Sequence, residues 1–433
     1  MKPSVYNVTA PSYDGEGVVL YNTLSQACVL LDSHEAQLYE ALACGGDANP
    51  QDDGKSTFVD ALASMGFVSE NPDEDVAYMR YKYQKHKYNS RVFELYICPT
   101  LDCNFSCIYC YEHKRKGKMT LEVADAIMRF VEEQFDAEPF QELKIVWYGG
   151  EPLLGFDIIE YLSERFITFT DDHGLEYRAS IITNGVLATD EVQKRLAELK
   201  VWCVMATADG QGPIHDRTRP ARNGKPTYDI IMKHIQGFID KGFSIDFRCI
   251  LEKNNVDSCI ELAGKLVANE NVNIHFNQMR DMTGFQQEHP GVVCTLSLEE
   301  HAQAVLDEFL RRNPSKEDFK KYLTPLPVAC PAAIDRAYTI DELGNVYACT
   351  SVPGMDEYVL FSVMEPPEDR SLNLEKLAMY GNASPFKNDE CRECRVFPLC
   401  QGGCTRCRME GRLECAPFKH NIEDLLTEYS RFL

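Results

Sequence analysis

Residues 103–110 read CNFSCIYC and place three cysteines, Cys103, Cys107 and Cys110, in one short loop. The loop follows an apolar stretch, Phe93–Cys98, whose pattern predicts a buried β-strand. Cysteine thiolates bind iron–sulfur clusters, and four of them saturate a cluster of four irons. Three thiolates therefore bind three irons and leave the fourth iron open to another ligand. We expect the three cysteines to form a metal site at which chemistry takes place.

Two other interpretations of this loop are a structural zinc site and three unrelated buried cysteines. Zinc favours four protein ligands, commonly in paired C-x₂-C units, and no partner pair lies near the loop in the sequence. The C-x₃-C-x₂-C run, with the aromatic Tyr109 before its last cysteine, resembles the signature of the radical S-adenosylmethionine (SAM) superfamily. That resemblance implies a [4Fe–4S] cluster whose open iron binds SAM. It also implies cleavage of SAM to methionine and a 5′-deoxyadenosyl radical, which abstracts hydrogen from C–H bonds.

Composition restricts the class of protein. The chain has 433 residues and a net charge of −23, which argues against a nucleic-acid binder because such a protein needs a basic surface. Its first residues, MKPSVYN, lack the apolar core of a signal peptide, and no uninterrupted apolar stretch is long enough for a membrane span. A cytoplasmic location would keep the 18 cysteines reduced, so clustered cysteines are interpreted as metal ligands. We expect an oxygen-poor cytoplasm.

Residues 1–90 form the first of three predicted segments. Its predicted elements are two strands, two helices and a short strand: Gly17–Asn22, Ala27–Asp32, a helix capped by Ser33, Thr57–Met65 and Phe67–Val68. This order resembles the small winged-helix, α+β peptide-recognition domains attached to peptide-modifying enzymes. A plain packing extension is the alternative. Residues 70–92 are polar and predict a linker with helical character.

Residues 91–320 form the second segment, in which strands and helices alternate. The predicted strands are Phe93–Cys98, Leu143–Tyr148, Ala179–Thr183, Val201–Thr207, Ile245–Leu251 and Val272–Phe276. Helical stretches include Leu121–Phe135, Ile158–Phe169 and Glu191–Leu199. Such alternation predicts an α/β fold with a parallel sheet and right-handed crossovers. Six units match the partial, TIM-like (β/α)₆ barrel of the radical SAM superfamily, in which working residues lie in the loops after the strands.

Further motifs follow the later strands of this segment. Residues 149–152 read GGEP, in which glycines let the backbone approach a ligand and a carboxylate can accept hydrogen bonds from an ammonium group. A generic tight turn is the alternative. The run resembles the motif with which the superfamily holds the amino group of SAM. Asp209, Gly210, His215, Asp216 and Arg219 resemble a further family stretch. The cofactor-binding residues that the resemblance implies are Tyr109, Gly149, Gly150, Glu151, Pro152, Thr183, Asn184, Thr207 and, more weakly, Arg248.

Residues 321–433 form the third segment, which is rich in cysteine and shows little regular periodicity. Such a region is expected to depend on bound metal for its folding free energy. The order and spacing of its cysteines resemble the SPASM domain, a module with two auxiliary [4Fe–4S] clusters. Seven positions carry the resemblance: Cys330, Cys349, Cys391, Cys394, Cys400, Cys404 and Cys415. A zinc site at the C-x₂-C pair 391–394 is the alternative.

The resemblance also implies which cysteines share a cluster. One cluster would be bound by Cys391, Cys394, Cys400 and Cys415, and the other by Cys330, Cys349 and Cys404. The fourth ligand of the second set stays open between Cys407, the more distant Cys294 and a substrate thiolate on an open iron.

SPASM enzymes act mostly on peptides. We therefore expect a radical SAM oxidoreductase that matures a ribosomally synthesised precursor peptide by forming a thioether or carbon–carbon crosslink. The expected partners are that peptide and an electron donor such as flavodoxin or ferredoxin, with neither nucleic acid nor membrane.

Two other functions stay open. An anaerobic sulfatase-maturating enzyme, which forms formylglycine, typically has an aspartate base directly after the second auxiliary cysteine, where this chain has Thr350 after Cys349. A non-catalytic electron-transfer or cluster-scaffold protein would not require the residues implied to bind SAM.

Overall fold

The computed structural model describes residues 1–45, 53–71, 73–279, 295–325, 327–328 and 330–433, so the candidate ligand Cys294 lies outside it. The chain divides into two compact units. The first comprises Met1–Lys87, Leu298–Ala333 and Gly381–Leu433, and the second comprises Tyr88–Ser297 and Ile334–Tyr380. Because each unit combines separated stretches of chain, the units do not follow the three consecutive segments, which stay a prediction about domains.

The first unit contains two small antiparallel sheets. Its described strands are β1 (Lys2–Pro3), β2 (Asn7–Pro11), β3 (Val18–Asn22), β4 (Cys28–Leu31) and β5 (Val68–Ser69). Strand β3 lies between β2 and β4, and β1 pairs with β5. The predicted hairpin is confirmed, since Val18 pairs with Leu31 and Tyr21 with Cys28.

The helices of this unit range from 4 to 15 residues in length. Their bounds are Ser33–Ala43, Asp53–Ser64, Asp73–Lys87, Leu298–Arg311, Lys316–Tyr322, Asp389–Arg392, Phe397–Cys400, Thr405–Met409 and Phe418–Tyr429. The prediction of Ser33 as N-cap is wrong by one residue. Asp32 caps the first helix, because its carboxylate accepts hydrogen bonds from the backbone of His34 and Glu35, and Glu35 returns a capping-box bond.

One hydrophobic core joins the N-terminal hairpin to distant parts of the chain within this unit. Val8, Val19 and Tyr21 share a buried cluster with Phe309 and Leu425. Deletion of the first 70 residues would therefore expose an apolar core. The predicted role of this segment in peptide recognition is better tested by single substitutions than by deletion.

The second unit is built on one mostly parallel sheet. In sheet order its described strands are β11 (Val272–Gln278), β10 (Ser244–Leu251), β9 (Val201–Thr207), β8 (Glu176–Thr183), β7 (Glu142–Trp147), β6 (Val92–Ile97), β12 (Ala337–Ile340), β13 (Asn345–Tyr347) and β14 (Phe361–Ser362). Strands β6 to β11 are parallel, as predicted, and β12 extends the sheet parallel to β6.

Helices connect the strands of this sheet. They span Leu121–Ala137, Phe156–His173, Asp190–Glu198, Pro213–Thr218, Tyr228–Asp240 and Val256–Leu266, and a further helix, Leu374–Asn382, follows the last described strand β14. The α/β class is confirmed. The third segment, whose sequence shows little regular periodicity, nevertheless contains strands β12 to β14 and the helix Phe418–Tyr429. Among the described residues, no helix combines the length and apolar character needed to cross a membrane.

Candidate active site

The cysteine loop lies between β6 and the helix Leu121–Ala137, at the carboxyl end of β6. Cys103 is buried, and Cys107 and Cys110 are half-buried. Backbone hydrogen bonds tie the loop to residues 218–222: Ser106 N donates to Pro220 O at 2.8 Å and Ile108 N donates to Thr218 O at 3.1 Å. The three thiols are therefore placed by a second stretch of chain that follows β9.

Tyr109, predicted as a cofactor-binding residue, anchors this loop. Its hydroxyl donates to the Asp209 carboxylate at 2.5 Å and accepts from the Arg219 guanidinium at 2.6 Å. Asp209 is itself buried and accepts from Ile250 N at 2.9 Å. Burial raises the pKa of Asp209, and the neighbouring Arg219 opposes that rise. The Asp209 and Arg219 motif therefore holds the cysteine loop through Tyr109.

The two glycines of the GGEP run lie directly against the start of the cysteine loop. A Cβ on Gly149 would lie 2.3 Å from Thr100 O, and one on Gly150 would lie 2.2 Å from Asp102 O. Gly149 also has φ +115°, a region that favours glycine. The close approach that the sequence predicted for a ligand is used here by the chain's own backbone.

Substitution of Gly150 by alanine is expected to lower the free energy of unfolding by at least about 2 kcal/mol, because the new methyl group meets backbone rather than a movable side chain. Gly264 is a matched control, since it lies in the helix Val256–Leu266 and a Cβ there would contact nothing within 4 Å. Gly264→Ala should stabilise by about 0.5–1 kcal/mol. Anaerobic denaturant unfolding measures both changes. Equal stability of Gly150→Ala and wild type would contradict the steric argument.

Glu151 connects the GGEP run to the turn after β8. Its buried carboxylate accepts hydrogen bonds from Thr183 Oγ1 at 2.8 Å, from Asn184 N at 2.7 Å and from Leu153 N at 3.0 Å. Burial raises the pKa of Glu151, and these three hydrogen bonds oppose the rise. Because a carboxylate offers about four acceptor positions, most of its capacity is used within the protein. Glu151 thus positions Thr183 and Asn184, and few acceptor positions of its carboxylate remain for an ammonium group.

The remaining predicted residues lie nearby on the same sheet and loops. Asn184 Nδ2 donates to Asn104 Oδ1 at 2.7 Å, which links the turn after β8 to the cysteine loop. Pro152 is buried in the first turn after Glu151. Thr207 and Arg248 are direct partners in the parallel register of β9 and β10. The set is brought together at the carboxyl ends of neighbouring strands, and its contact with SAM stays a prediction.

The sequence reasoning missed three residues beside the cysteines. The hydroxyls of Tyr111 and Tyr148 lie 2.8 Å apart, and Tyr148 donates to the Glu112 carboxylate. Burial raises the pKa of Glu112 to about 7. The sequence offered one signal for this group: Glu112 is an acidic residue only two positions after Cys110, the last cysteine of the metal motif.

The donor set of the loop fits an iron–sulfur cluster with one open iron. It consists of three thiols on one loop. Lys114, which follows them, is not a ligand but fixes the loop, because its ammonium group donates to Phe105 O at 2.7 Å. Burial raises the pKa of Cys103 to about 11 and also raises the pKa of Cys110. Binding of a cluster must therefore release protons from these thiols.

The first unit gathers four of the C-terminal cysteines. Cys391, Cys394, Cys400 and Cys415 line one cavity with about 400 Å³ of free space, its opening to solvent included. These are the four that the SPASM resemblance assigns to one cluster. Four thiols around one cavity are a chemically complete donor set for a [4Fe–4S] cluster.

The other auxiliary cysteines divide between the units. Cys330, Cys404 and Cys407 belong to the first unit and Cys349 to the second, so a cluster on Cys330, Cys349 and Cys404 stays a prediction. Cys404 and Cys407 lie together with a residue that was not predicted, Glu414. The hydrogen bond from Cys407 lowers the pKa of Cys404 to about 6 and raises the pKa of Cys407.

The chain is similar to several known proteins. Residues 97–266 match the model of the Radical SAM superfamily. The radical SAM cyclopropyl synthase TigE of Paramaledivibacter caminithermalis is 22% identical over 377 residues, which cover 80% of this chain and 75% of TigE. A cysteine-type anaerobic sulfatase-maturating enzyme of Clostridium perfringens is 23% identical over 331 residues, covering 71% of this chain and 86% of that enzyme. The structure of Streptococcus suis SuiB bound to the precursor peptide SuiA aligns with a TM-score of 0.51 and 18% identity, covering 96% of this chain and 97% of SuiB.

Proposed function

Because residues 97–266 form a radical SAM domain, we propose that this chain is a radical SAM oxidoreductase that modifies a ribosomally synthesised peptide by thioether or carbon–carbon crosslinking. The observation that carries the proposal is the cysteine loop, held at the carboxyl end of β6 by Tyr109, Asp209 and Arg219. When bound there, a [4Fe–4S] cluster and SAM supply a radical that abstracts hydrogen from the substrate.

The chain's own residues would position these groups. Cys103, Cys107 and Cys110 would bind three irons, and the turn at Thr183 and Asn184, fixed by Glu151, would border SAM. This network is rigid because its hydrogen bonds are short and mostly buried. A positioned, water-excluding site is what a reactive radical requires.

The auxiliary clusters are the second part of the proposal. Three [4Fe–4S] clusters correspond to about twelve irons per chain. The cavity lined by Cys391, Cys394, Cys400 and Cys415 supports one auxiliary cluster. Iron and acid-labile sulfide determination after anaerobic reconstitution tests the number, and about four irons with zinc in the remainder would refute it.

The relatives support peptide modification and differ in the reaction. TigE is named for cyclopropane formation, and another relative is named a sulfatase-maturating enzyme. Thr350 stands where the latter reaction would need an aspartate, so we favour crosslinking. A pure electron-transfer protein would give no 5′-deoxyadenosine. Incubating reconstituted protein with SAM and dithionite, and then with a flavodoxin or ferredoxin as donor, tests that alternative.

Recognition of the peptide is proposed for the hairpin edge at β4. Among the described residues, β4 pairs only with β3. Asn22 N donates to Ala27 O at 2.9 Å, and Val19 is the register partner of Leu30. Because bonded and non-bonded pairs alternate along antiparallel strands, the N–H and C=O of Leu30 point away from β3. This edge can accept an added strand of a precursor peptide.

Leu30→Pro should weaken binding of the precursor peptide by at least about tenfold, because it removes an outward N–H from the edge without removing a bond to β3. SAM cleavage without peptide should persist. Thr9→Pro on the opposite edge strand β2 is the matched control, since Ser12 N donates to Gly17 O at 2.9 Å and the same alternation places the N–H of Thr9 outward. Fluorescence anisotropy with the labelled peptide encoded beside the gene measures both. Unchanged affinity in Leu30→Pro would contradict recognition at β4.

A further inference from the structure

Cys404 and Cys407 lie at the start of the short helix Thr405–Met409. Cys404 precedes its first residue, and Cys407 is completely buried within it. A C-x₂-C spacing of this kind lets two thiolates bind on one side of a metal. Neither cysteine lines the cavity that Cys391, Cys394, Cys400 and Cys415 form. Glu414, by contrast, does line that cavity and also lies beside the pair, so the pair itself is outside the lining while Glu414 borders both.

The chain after this helix returns to the same place. Arg412 N donates to Cys407 O at 2.8 Å, which closes the turn that follows the helix. A Cβ on Gly403 would lie 2.2 Å from Glu414 O, and Gly403 has φ +66°. Because only glycine permits so close an approach in that conformation, the backbone at Glu414 is held directly against the residue before Cys404.

The side chains meet as a result. The two sulfur atoms and a carboxylate oxygen of Glu414 all lie within 4.8 Å of one another. Three anionic groups at this separation repel one another unless a proton or a cation lies between them. The neighbouring Arg406 and Arg412 both pair with Glu410, so their charge is already partly offset by another carboxylate.

We propose that Glu414 is a metal ligand and that its carboxylate binds the same metal centre as Cys404 and Cys407. Two thiolates and a carboxylate are a donor set for iron or zinc. Two kinds of metal centre fit these three ligands. One is an auxiliary iron–sulfur cluster, which rests on the proposed function, and the other is a single divalent ion. Glu414 would then be a ligand that the cysteine spacing does not reveal.

The test is retention of metal by the full-length protein, reconstituted anaerobically and challenged with a chelator. Glu414→Gln removes the anionic oxygen and should lose metal at least about tenfold faster than wild type. Glu414→Asp keeps a carboxylate and should retain metal better than Glu414→Gln. Glu410→Gln is the matched control, because Glu410 lies on the same turn but pairs with Arg406 and Arg412. Iron, zinc and acid-labile sulfide are measured together.

These measurements distinguish a cluster from a single ion, and they also test the role of Glu414 independently of the proposed function. Joint loss of iron and sulfide in Glu414→Gln identifies a cluster at Cys404 and Cys407 when the same substitution causes no further loss in a Cys404→Ala/Cys407→Ala background, and loss of zinc without sulfide identifies a single ion. Because Glu414 also lines the cavity of Cys391 and Cys415, further loss in that background would assign the effect to the cavity and overturn the inference. Equal retention by Glu414→Gln and wild type would overturn the inference, as would equal loss in Glu410→Gln. If circular dichroism shows that Glu414→Gln is misfolded, the rates of metal loss from Glu414→Asp and Glu410→Gln are compared instead. Faster metal loss from Glu410→Gln than from Glu414→Asp would overturn the inference. Failure of the proposed function would appear elsewhere, as absence of 5′-deoxyadenosine with metal retention at Glu414 unaffected.

Discussion

Alanine at Cys103, Cys107 and Cys110 together is expected to reduce 5′-deoxyadenosine formation from SAM to the level of the protein-free reaction. The open iron exists only where three thiolates bind a cluster, and the loop of residues 103–110 supplies those three thiols at the end of β6. Iron content should fall from about twelve to about eight per chain, because a [4Fe–4S] cluster holds four irons. Chromatographic assay of 5′-deoxyadenosine with dithionite as reductant measures the effect.

Cys203→Ala is the matched control for this variant. Cys203 is a buried thiol of the same unit, on β9, and outside the motif. We expect it to cost some stability through a small cavity and to leave SAM cleavage intact. Full 5′-deoxyadenosine production by the triple variant would refute the assignment of the SAM-binding cluster to this loop.

The parallel strands of the second unit could be predicted because each of them is marked by its own apolar run of residues. Apolar runs are typical of strands within a parallel sheet, and the prediction Val201–Thr207 coincides with β9, although Trp202 on that strand is exposed. The helix Phe418–Tyr429 was missed although Ile422, Leu425, Leu426 and Tyr429 repeat at helical spacing and are buried.

Local motifs could be predicted, but the contacts between them could not. The sequence indicates that Glu151 belongs to a conspicuous run, yet only the fold brings its carboxylate to Thr183 and Asn184, 32 and 33 residues later. Tyr109 reaches Asp209 across 100 residues for the same reason. Glu414 had no signal in the cysteine spacing, because a carboxylate ligand is indistinguishable in sequence from a solvated glutamate until the turn after Cys407 is known.

The reaction itself should leave a characteristic mass. If the enzyme crosslinks a cysteine thiol to a carbon of the precursor, the product loses two hydrogens, about 2 Da per bond, and that thiol no longer reacts with alkylating reagents. A carbon–carbon crosslink would give the same loss with all thiols still reactive. Mass spectrometry of the peptide encoded beside the gene, before and after alkylation, distinguishes these two outcomes.

A sulfatase-type cysteine peptide should remain unmodified in the same assay. Formylglycine formation needs a base to remove a proton during oxidation, and Thr350, whose hydroxyl is a poor base at neutral pH, follows Cys349 where that family has aspartate. Thr350→Asp is the informative companion variant, since a gain of aldehyde product there would identify the missing base as the barrier. An aldehyde-reactive product lighter by about 18 Da from wild-type enzyme, the exchange of a thiol for a carbonyl oxygen, would instead establish the sulfatase-maturating reaction.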